Sequence, residues 1–442
     1  MTSTTHDVYD FYDVAVIGGG PAGATVAALL AESGRRVVVF EKSRHPRFHI
    51  GESLLPKNLP ILERLGVAEE IRSISLYKPG AEFVSPEHEA RQAFYFGEAL
   101  DPSPDHAYQV ERARFDEILL RNARRKGAEV REDTAVTAVD FEESGCRLTL
   151  KGQGAAEPCR ARFLVDASGR DGLLARQSGA RWRDRNHNSA AMFAHFEGVA
   201  AEAWSKQGNI AIYMFEHGWI WMIPLRGGLT SVGAVCMPDY LKTRKGSLDD
   251  FFLKTLALCP KAWAALREAK ATTPVRGAGN YSYRAERAYG DGFLLVGDAY
   301  VFIDPIFSSG VFLAMSGAES AAAAIDQALE NPRQAERLFR GYQRWIDRGV
   351  GRLSWFIYRF NTPAMRNLFM APRNVFGVRN AVVSLLAGDI CRSGGFSWKL
   401  SVFKAIYYLS LLIDFRSNRL WRGRWRGFRS VSMPEDEVAE AP

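Results

Sequence analysis

Cysteine is scarce in this 442-residue chain: Cys146, Cys159, Cys236, Cys259 and Cys391 lie far apart, with no CxxC pair and no metal-ligand spacing. That pattern argues against a disulfide framework and a zinc site and suits reduced thiols, so no disulfide and no metal are expected. Long apolar runs are also lacking, because the most apolar late stretch, Ala405 to Ile413, falls far short of the roughly 20 residues that span a bilayer. The first residues carry Asp7, Asp10 and Asp13 in place of a basic segment and an apolar core, so no signal peptide is expected and the protein is placed in the cytoplasm. Charge of one sign is not abundant either: 57 Lys and Arg against 50 Asp and Glu leave +7, a mild excess that does not call for nucleic acid. No internal repeat is visible.

What the chain does have is apolar material, 47% hydrophobic and 12% aromatic, with 24% charged residues. This is a globular composition, and the length exceeds one ordinary core, so two intertwined domains and a C-terminal appendage are expected.

The β-branched run Asp13 to Ile17 reads as a strand, followed by the glycine cluster Gly18 to Gly23, a small-residue helix to about Gly34, and a second strand from Val37 to Phe40. Asn58 to Leu65 suggests a short helix, Pro79 to Pro104 loops and strand ends, and Arg114 to Lys126 an amphipathic helix. Val130 to Leu164 reads as a β-meander and Met192 to Cys236 as antiparallel strands. Val311 to Leu329 is a long Ala-rich helix, and the remainder is helical and aromatic, ending in an Arg/Trp-rich run.

Gly18, Gly20 and Gly23 fit GxGxxG between a strand and a helix: one glycine permits the tight turn, one lets backbone approach a pyrophosphate, one allows close helix packing. A phosphate then sits at the helix N-terminus. Glu41 ends the second strand, about 20 residues onward, where its carboxylate can accept from ribose hydroxyls. Only one such fingerprint is present, so a second dinucleotide such as NADH has no evident site.

Further segments follow in order: Val110 to Asp116 with Arg112, then Asp166-Ala167-Ser168-Gly169, then Gly297-Asp298. They resemble the additional FAD motifs of the glutathione-reductase-like superfamily, in its aromatic hydroxylase and halogenase branch. The run Gly218 to Pro224 resembles the WxWxIP motif of flavin-dependent halogenases. On a strand, period two puts Trp219, Trp221 and Ile223 on one face, and the resemblance implies that with Pro224 they form a wall between flavin and organic substrate. Gly51 to Pro56 resembles the family's GES segment beside the flavin, and Asp304 to Val311 its flavin and halide loop. The resemblance covers residues 10–350 or so.

The resemblance implies an α/β fold: a glutathione-reductase-like, Rossmann-type FAD-binding domain interleaved with an antiparallel β-sheet substrate domain, plus a helical C-terminal region. The expected boundaries are 1–84, 107–180 and 275–345 for the discontinuous FAD-binding domain, 85–106 and 181–274 for the substrate-side sheet, and 346–442 for the helical region. The FAD contacts it implies are Gly18, Gly20, Ala22, Gly23, Glu41, Lys42, Ser53, Arg112, Asp166, Ala167, Gly169, Gly297, Asp298, Pro305, Gly310 and Val311. Backbone amides around Ser309 and Gly310 would hold the halide, since successive N–H groups at a helix start form an anion nest; Ser309 is equally readable as a helix N-cap.

The implied catalytic residue is Lys78, in the register where halogenases resembling this chain place a lysine after the GES segment. Reduced FAD, dioxygen and chloride or bromide would yield hypohalous acid, which Lys78 delivers as a haloamine or by polarising it. Tryptophan halogenases place a glutamate in the halide loop; here that position is Phe307, which favours a more activated ring, a phenol or a pyrrole. Some relatives of that kind act on substrates tethered to an acyl or peptidyl carrier protein, in secondary-metabolite biosynthesis. Arg416, Arg419, Arg422, Arg424, Arg426 and Arg429 would steer an acidic carrier, or form a solvated tail with Trp421, Trp425 and Phe428 packed on the core. Trp355, Phe356 and Phe360 line the substrate pocket or belong to the core. The alternatives are an FAD-dependent aromatic hydroxylase, a flavin-bound docking protein, and an isoprenoid reductase at a membrane surface.

Overall fold

A β-branched run buried on both faces belongs at the centre of a parallel sheet. In the computed structural model, which describes residues 11–102, 104–152, 159–183, 189–279, 282–390 and 395–417, β1 (Phe11–Ile17) takes that place. It pairs in parallel with β2 (Val37–Phe40) and with β10 (Cys159–Asp166); β7 (Glu129–Arg131) lies outside β2 and β20 (Phe293–Leu295) outside β10. Antiparallel β8 (Thr134–Glu142), β9 (Gly145–Gly152) and short β19 (Tyr289–Gly290) complete this first sheet. Helices Pro21–Glu32, Arg112–Arg125 and Ser309–Glu330 pack with it, the first burying every residue from Pro21 to Leu30.

The second sheet runs β16–β12–β15–β14–β13–β4–β5, with β17 also beside β12. Its strands are β4 (Gly80–Ser85), β5 (Ala90–Tyr95), β12 (Ala190–Glu197), β13 (Ile210–Phe215), β14 (Gly218–Pro224), β15 (Leu229–Cys236), β16 (Lys270–Ala271) and β17 (Arg276–Ala278). Period-two alternation divides β14 between two cores. Trp219, Trp221 and Ile223 join the main core, whereas Ile220 and Met222 pack with Phe251, Phe252 and Leu256 of the helix behind the sheet. Two smaller pairings complete the strands: β3 (Leu76–Lys78) with β6 (Ala107–Gln109), and β18 (Tyr283–Ala285) between β11 (Arg181–Arg183) and β21 (Val301–Phe302).

Two differences from the sequence reading have physical causes. Pro79 to Pro104, expected as loops and strand ends, contains β4 and β5, with Phe83 and Val84 buried on the two faces. The mixed polarity that suggested a loop is Glu82, fully buried and paired with Arg91 at 2.6 Å on the neighbouring strand. The expected seam at 84 therefore falls inside β4, and the seam at 274 leaves out β17, which pairs with β12. The second difference is the cap of Ser309–Glu330: Ser308, in the left-handed region at φ 56°, occupies the N-cap instead of Ser309.

Helices Ala335–Ile357, Pro363–Met370, Val378–Leu386 and Gly395–Ser417 form the late helical region. Among the described residues no helix is long and apolar enough to cross a membrane. The side chains of the Arg/Trp-rich run from Arg416 to Arg429 lie outside the described residues.

Candidate cofactor and reaction site

The C-terminal ends of β1 and β2 open onto a cavity of about 520 Å³ shared with β14 of the second sheet. Gly18 turns the chain there at φ +98°, and a Cβ would lie 2.4 Å from the Ala167 carbonyl oxygen. At Gly23 a Cβ would lie 1.9 Å from the Gly18 carbonyl oxygen, so only glycine lets the helix approach β1 this closely. Gly20 caps the helix without a side-chain hydrogen bond, and Gly20, Pro21 and Ala22 line the cavity. The first-turn N–H groups of a helix lack intrahelical acceptors and attract an anion there.

Glu41 also lines the cavity, its carboxylate accepting from Gly19 N at 2.7 Å and Ser43 N at 2.9 Å. Arg112 makes a fork to Asp116 at 2.8 and 3.0 Å and donates to the Ile50 carbonyl at 2.9 Å. Burial opposes the Asp116 charge, but Arg112 outweighs it and holds the carboxyl below the ordinary range. Burial, reinforced by Arg112, lowers the His49 pKa to about 4. At Asp298 burial raises the pKa to about 6, with Arg112, Arg170 and Arg181 pulling the other way.

Of the expected contacts, Gly18, Gly20, Ala22, Glu41, Lys42, Ser53, Arg112, Ala167, Gly169, Asp298, Pro305, Gly310 and Val311 line this one cavity, together with Trp219, Trp221 and Ile223. Gly23, Asp166, Gly297, Ser309, Pro224 and Lys78 do not. Asp166 is occupied locally, accepting from Ser168 N at 3.0 Å and Leu174 N at 2.8 Å. Lys42 is exposed and paired with Asp171.

Lys78 ends β3, 1% exposed, and its Nζ donates to the Leu54 carbonyl at 2.8 Å with the Phe96 ring centroid 5.2 Å away. Burial lowers its pKa to about 7. Phe307, where a glutamate would stand in the tryptophan enzymes, is buried among Phe360 at 5.8 Å and Phe369 at 6.3 Å, both packed on Phe83. Trp355 is half-buried against Tyr407 and Tyr408, while Phe356 and Phe360 are core.

Sequence reading missed Arg47, which lines the cavity 3.6 Å from Glu41 and 3.5 Å from Asp116. It also missed Glu52, which accepts from His195 Nε2 at 2.8 Å. Glu52 lies inside the recognised GES segment and Arg47 four residues before it, and that proximity is the signal available; His195 lies 143 residues from Glu52 and has none.

Asp304, in the loop that leads into Ser309–Glu330, accepts from Ser189 Oγ at 3.0 Å and Ile306 N at 3.1 Å, while burial raises its pKa to about 6 from 3.8. A carboxyl with a raised folded pKa favours folding below the unfolded value and loses that contribution as pH rises through the folded value. Asp304→Asn keeps both partners without the charge, so it should stabilise the chain at pH 7 by about 1–3 kcal/mol and flatten its stability between pH 4 and 6. Thermal melts across that range check this, and a lower melting temperature for the variant at pH 7 overturns it.

The pieces expected of a FAD site thus stand around one space. They fit the cofactor: the glycine turn leaves the helix N-terminus open, and buried Ser53 Oγ, at the cavity, has no hydrogen-bond partner among the described residues. Comparison with known proteins agrees. The tryptophan halogenase family matches residues 13–105 and 101–367. The 1H-pyrrole-2-carbonyl-[peptidyl-carrier protein] chlorinase of Pseudomonas fluorescens is 33% identical over 406 residues, covering 86% of this chain and 89% of that protein. The myxobacterial chondrochloren halogenase CndH superposes with a TM-score of 0.76 at 35% identity, over 86% of this chain and 90% of that one. A flavoprotein/dehydrogenase from Cytophaga hutchinsonii superposes with a TM-score of 0.83 at 27% identity, over 92% and 100%. With the WxWxIP strand, the glycine turn and the loop from Pro305 to Val311 at one cavity, this chain belongs to the tryptophan halogenase family and is a flavin-dependent halogenase, an enzyme that uses reduced FAD, dioxygen and halide.

Proposed function

We propose that the enzyme chlorinates or brominates an electron-rich aromatic ring of the phenol or pyrrole type, free or tethered to a carrier protein, with Lys78 delivering the electrophile. One observation carries this reading: Lys78 is fully buried beside Phe96, its pKa lowered to about 7, while the loop position of the tryptophan enzymes' glutamate is Phe307 in an apolar cluster. A site with no carboxylate at that position suits a ring whose carbons are already nucleophilic. The similarity to a chlorinase of a carrier-bound pyrrole points the same way.

Bound FAD, reduced and supplied with dioxygen, provides the power to oxidise halide to hypohalous acid. The N–H groups of Gly20 and Ala22 would meet its pyrophosphate and Glu41 its ribose, Gly19 N and Ser43 N having used one lone pair on each carboxylate oxygen. Asp298 would bind the ribityl or pyrophosphate region, and Arg112, Ala167, Gly169, Pro305 and Val311 would line the rest of the cofactor's space. Asp166, Gly23 and Gly297 support the turns from behind, and Lys42 serves from the rim. Ser309 and Gly310 amides hold the halide, and Trp219, Trp221 and Ile223, with Pro224 ending the strand, keep the organic substrate off the flavin.

The cofactor domain is of glutathione-reductase type and discontinuous, its strands drawn from three stretches around the second sheet, which carries the wall. Electrons come from a separate flavin reductase.

Mass spectrometry tests the reading. Phenol and pyrrole acids, free and on a peptidyl carrier protein, are incubated with enzyme, FAD, flavin reductase, NADH, air and chloride or bromide. Halogen isotope patterns on a phenol or pyrrole are expected. Halide-independent addition of oxygen would instead make the chain an aromatic hydroxylase.

A further inference from the structure

The strip 51–55 touches both halves of the site. Gly51, Glu52 and Ser53 line the cofactor cavity, and Leu54, next in the chain, supplies the carbonyl that accepts from Lys78 Nζ. On its backbone side the strip is zipped to β6 and the residue after it: Leu54 N donates to Tyr108 O at 2.9 Å and Val110 N to Glu52 O at 2.8 Å. The side chain of Glu52 gives it a second anchor. Glu52 is 1% exposed and accepts from His195 Nε2 at 2.8 Å, across from β12 of the other sheet. Phe48 packs on the His195 ring at 5.6 Å, and the Arg276 guanidinium sits 4.0 Å over the other ring's centroid.

The charged groups facing His195 are Glu52, Glu111 and Arg276. Burial disfavours the imidazolium, but the Glu52 hydrogen bond and charge outweigh it and raise the pKa. Buried ion pairs contribute little net stability, because desolvation offsets their attraction; what they can contribute is one defined geometry. Among the described residues Glu52 Oε2 has no hydrogen-bond partner, so the restraint they place on this carboxylate runs through Oε1 to His195.

We propose that the Glu52–His195 pair is a positioning device for halogenation: by pinning the strip to β12, it fixes the Leu54 carbonyl that accepts from Lys78 Nζ. The inference rests on the reading of Lys78 as the residue that delivers the electrophile.

The test reads Lys78 directly, in the FAD-bound enzyme. Cyanate carbamylates only the neutral amine, so the extent of modification at Lys78, mapped by peptide mass across pH, gives its titration midpoint. Wild type is compared with His195→Gln, whose amide still donates to Glu52, and with the double variant Glu52→Leu, His195→Leu, which removes the pin without leaving a buried charge unpaired. The wild-type midpoint is expected near pH 7, retained in His195→Gln, and lowered by roughly half a pH unit in the double variant as the ammonium loses its fixed acceptor. FAD affinity should stay within about threefold in His195→Gln, whose changed side chain lies outside the cavity lining.

An unchanged midpoint in the double variant overturns the proposal. So does a His195→Gln midpoint shifted as far as the double variant's, or loss of FAD from both variants alike. Failure of the lysine reading looks different: Lys78→Met would halogenate normally, while the carbamylation midpoints would still differ.

Discussion

Lys78→Met should lower halogenation about a thousandfold while leaving FAD affinity within about threefold and making the protein more stable. The activity figure follows from the general-acid range of about 10² to 10⁴ for a positioned proton donor. The stability gain follows from linkage. The folded pKa of Lys78 lies near 7, against an ordinary 10.5, so the unfolded chain binds a proton more readily throughout that window. Stability therefore rises with pH between about 7 and 10.5, and at pH 7 the lysine is a burden.

Methionine fills the same unbranched volume without the ammonium and should contribute about 2–4 kcal/mol at pH 7, after discounting the lost Leu54 hydrogen bond and Phe96 contact. A lysine that served only the fold would give the opposite result, a destabilised and active variant. Thermal melts and product mass spectrometry on one preparation separate the two. The wild-type pH profile then assigns the mode: activity rising through pH 7 belongs to the neutral amine, activity falling through it to the ammonium donor.

The elements legible in the sequence were those whose signal is local. GxGxxG declared its own turn because each glycine answers a steric demand within a few residues, and the WxWxIP strand declared its alternation because period two is visible in seven positions. What stayed hidden depends on distant partners. Glu82 made β4 look like a loop because its neutralising partner Arg91 is on another strand. His195 gave no sign because Glu52 is 143 residues away. The cap of the long late helix moved from Ser309 to Ser308 because a left-handed serine there is set by the preceding turn, which composition does not encode. Lys78 was nominated by motif register, and its burial, which moves its pKa, is a property of packing around Leu54 and Phe96.

Gly23→Ala and Gly20→Ala should part company, although both glycines belong to one motif. A methyl at position 23 meets the Gly18 carbonyl oxygen at 1.9 Å, a backbone atom fixed by the sheet, so the helix must move off β1. Overpacking of that kind costs about 1–3 kcal/mol, and the displaced helix N-terminus no longer meets the pyrophosphate. The FAD-free protein should melt several degrees lower, and FAD affinity should fall by a factor of at least about 100, equivalent to about 2.7 kcal/mol. At position 20 the nearest atom to a new methyl is Arg47 Nη2 at 3.7 Å, an ordinary contact at the end of a flexible side chain. The FAD-free Gly20→Ala protein should therefore melt like wild type. Its methyl nevertheless projects into the space where backbone must approach the phosphates, so FAD affinity should fall by about the same factor. Melts of the stripped proteins and flavin fluorescence titrations read the two effects separately. Wild-type affinity in Gly20→Ala would place the pyrophosphate away from this turn, whereas an equal loss of melting temperature in both variants would mean that the turn, and not the ligand, is what position 20 protects.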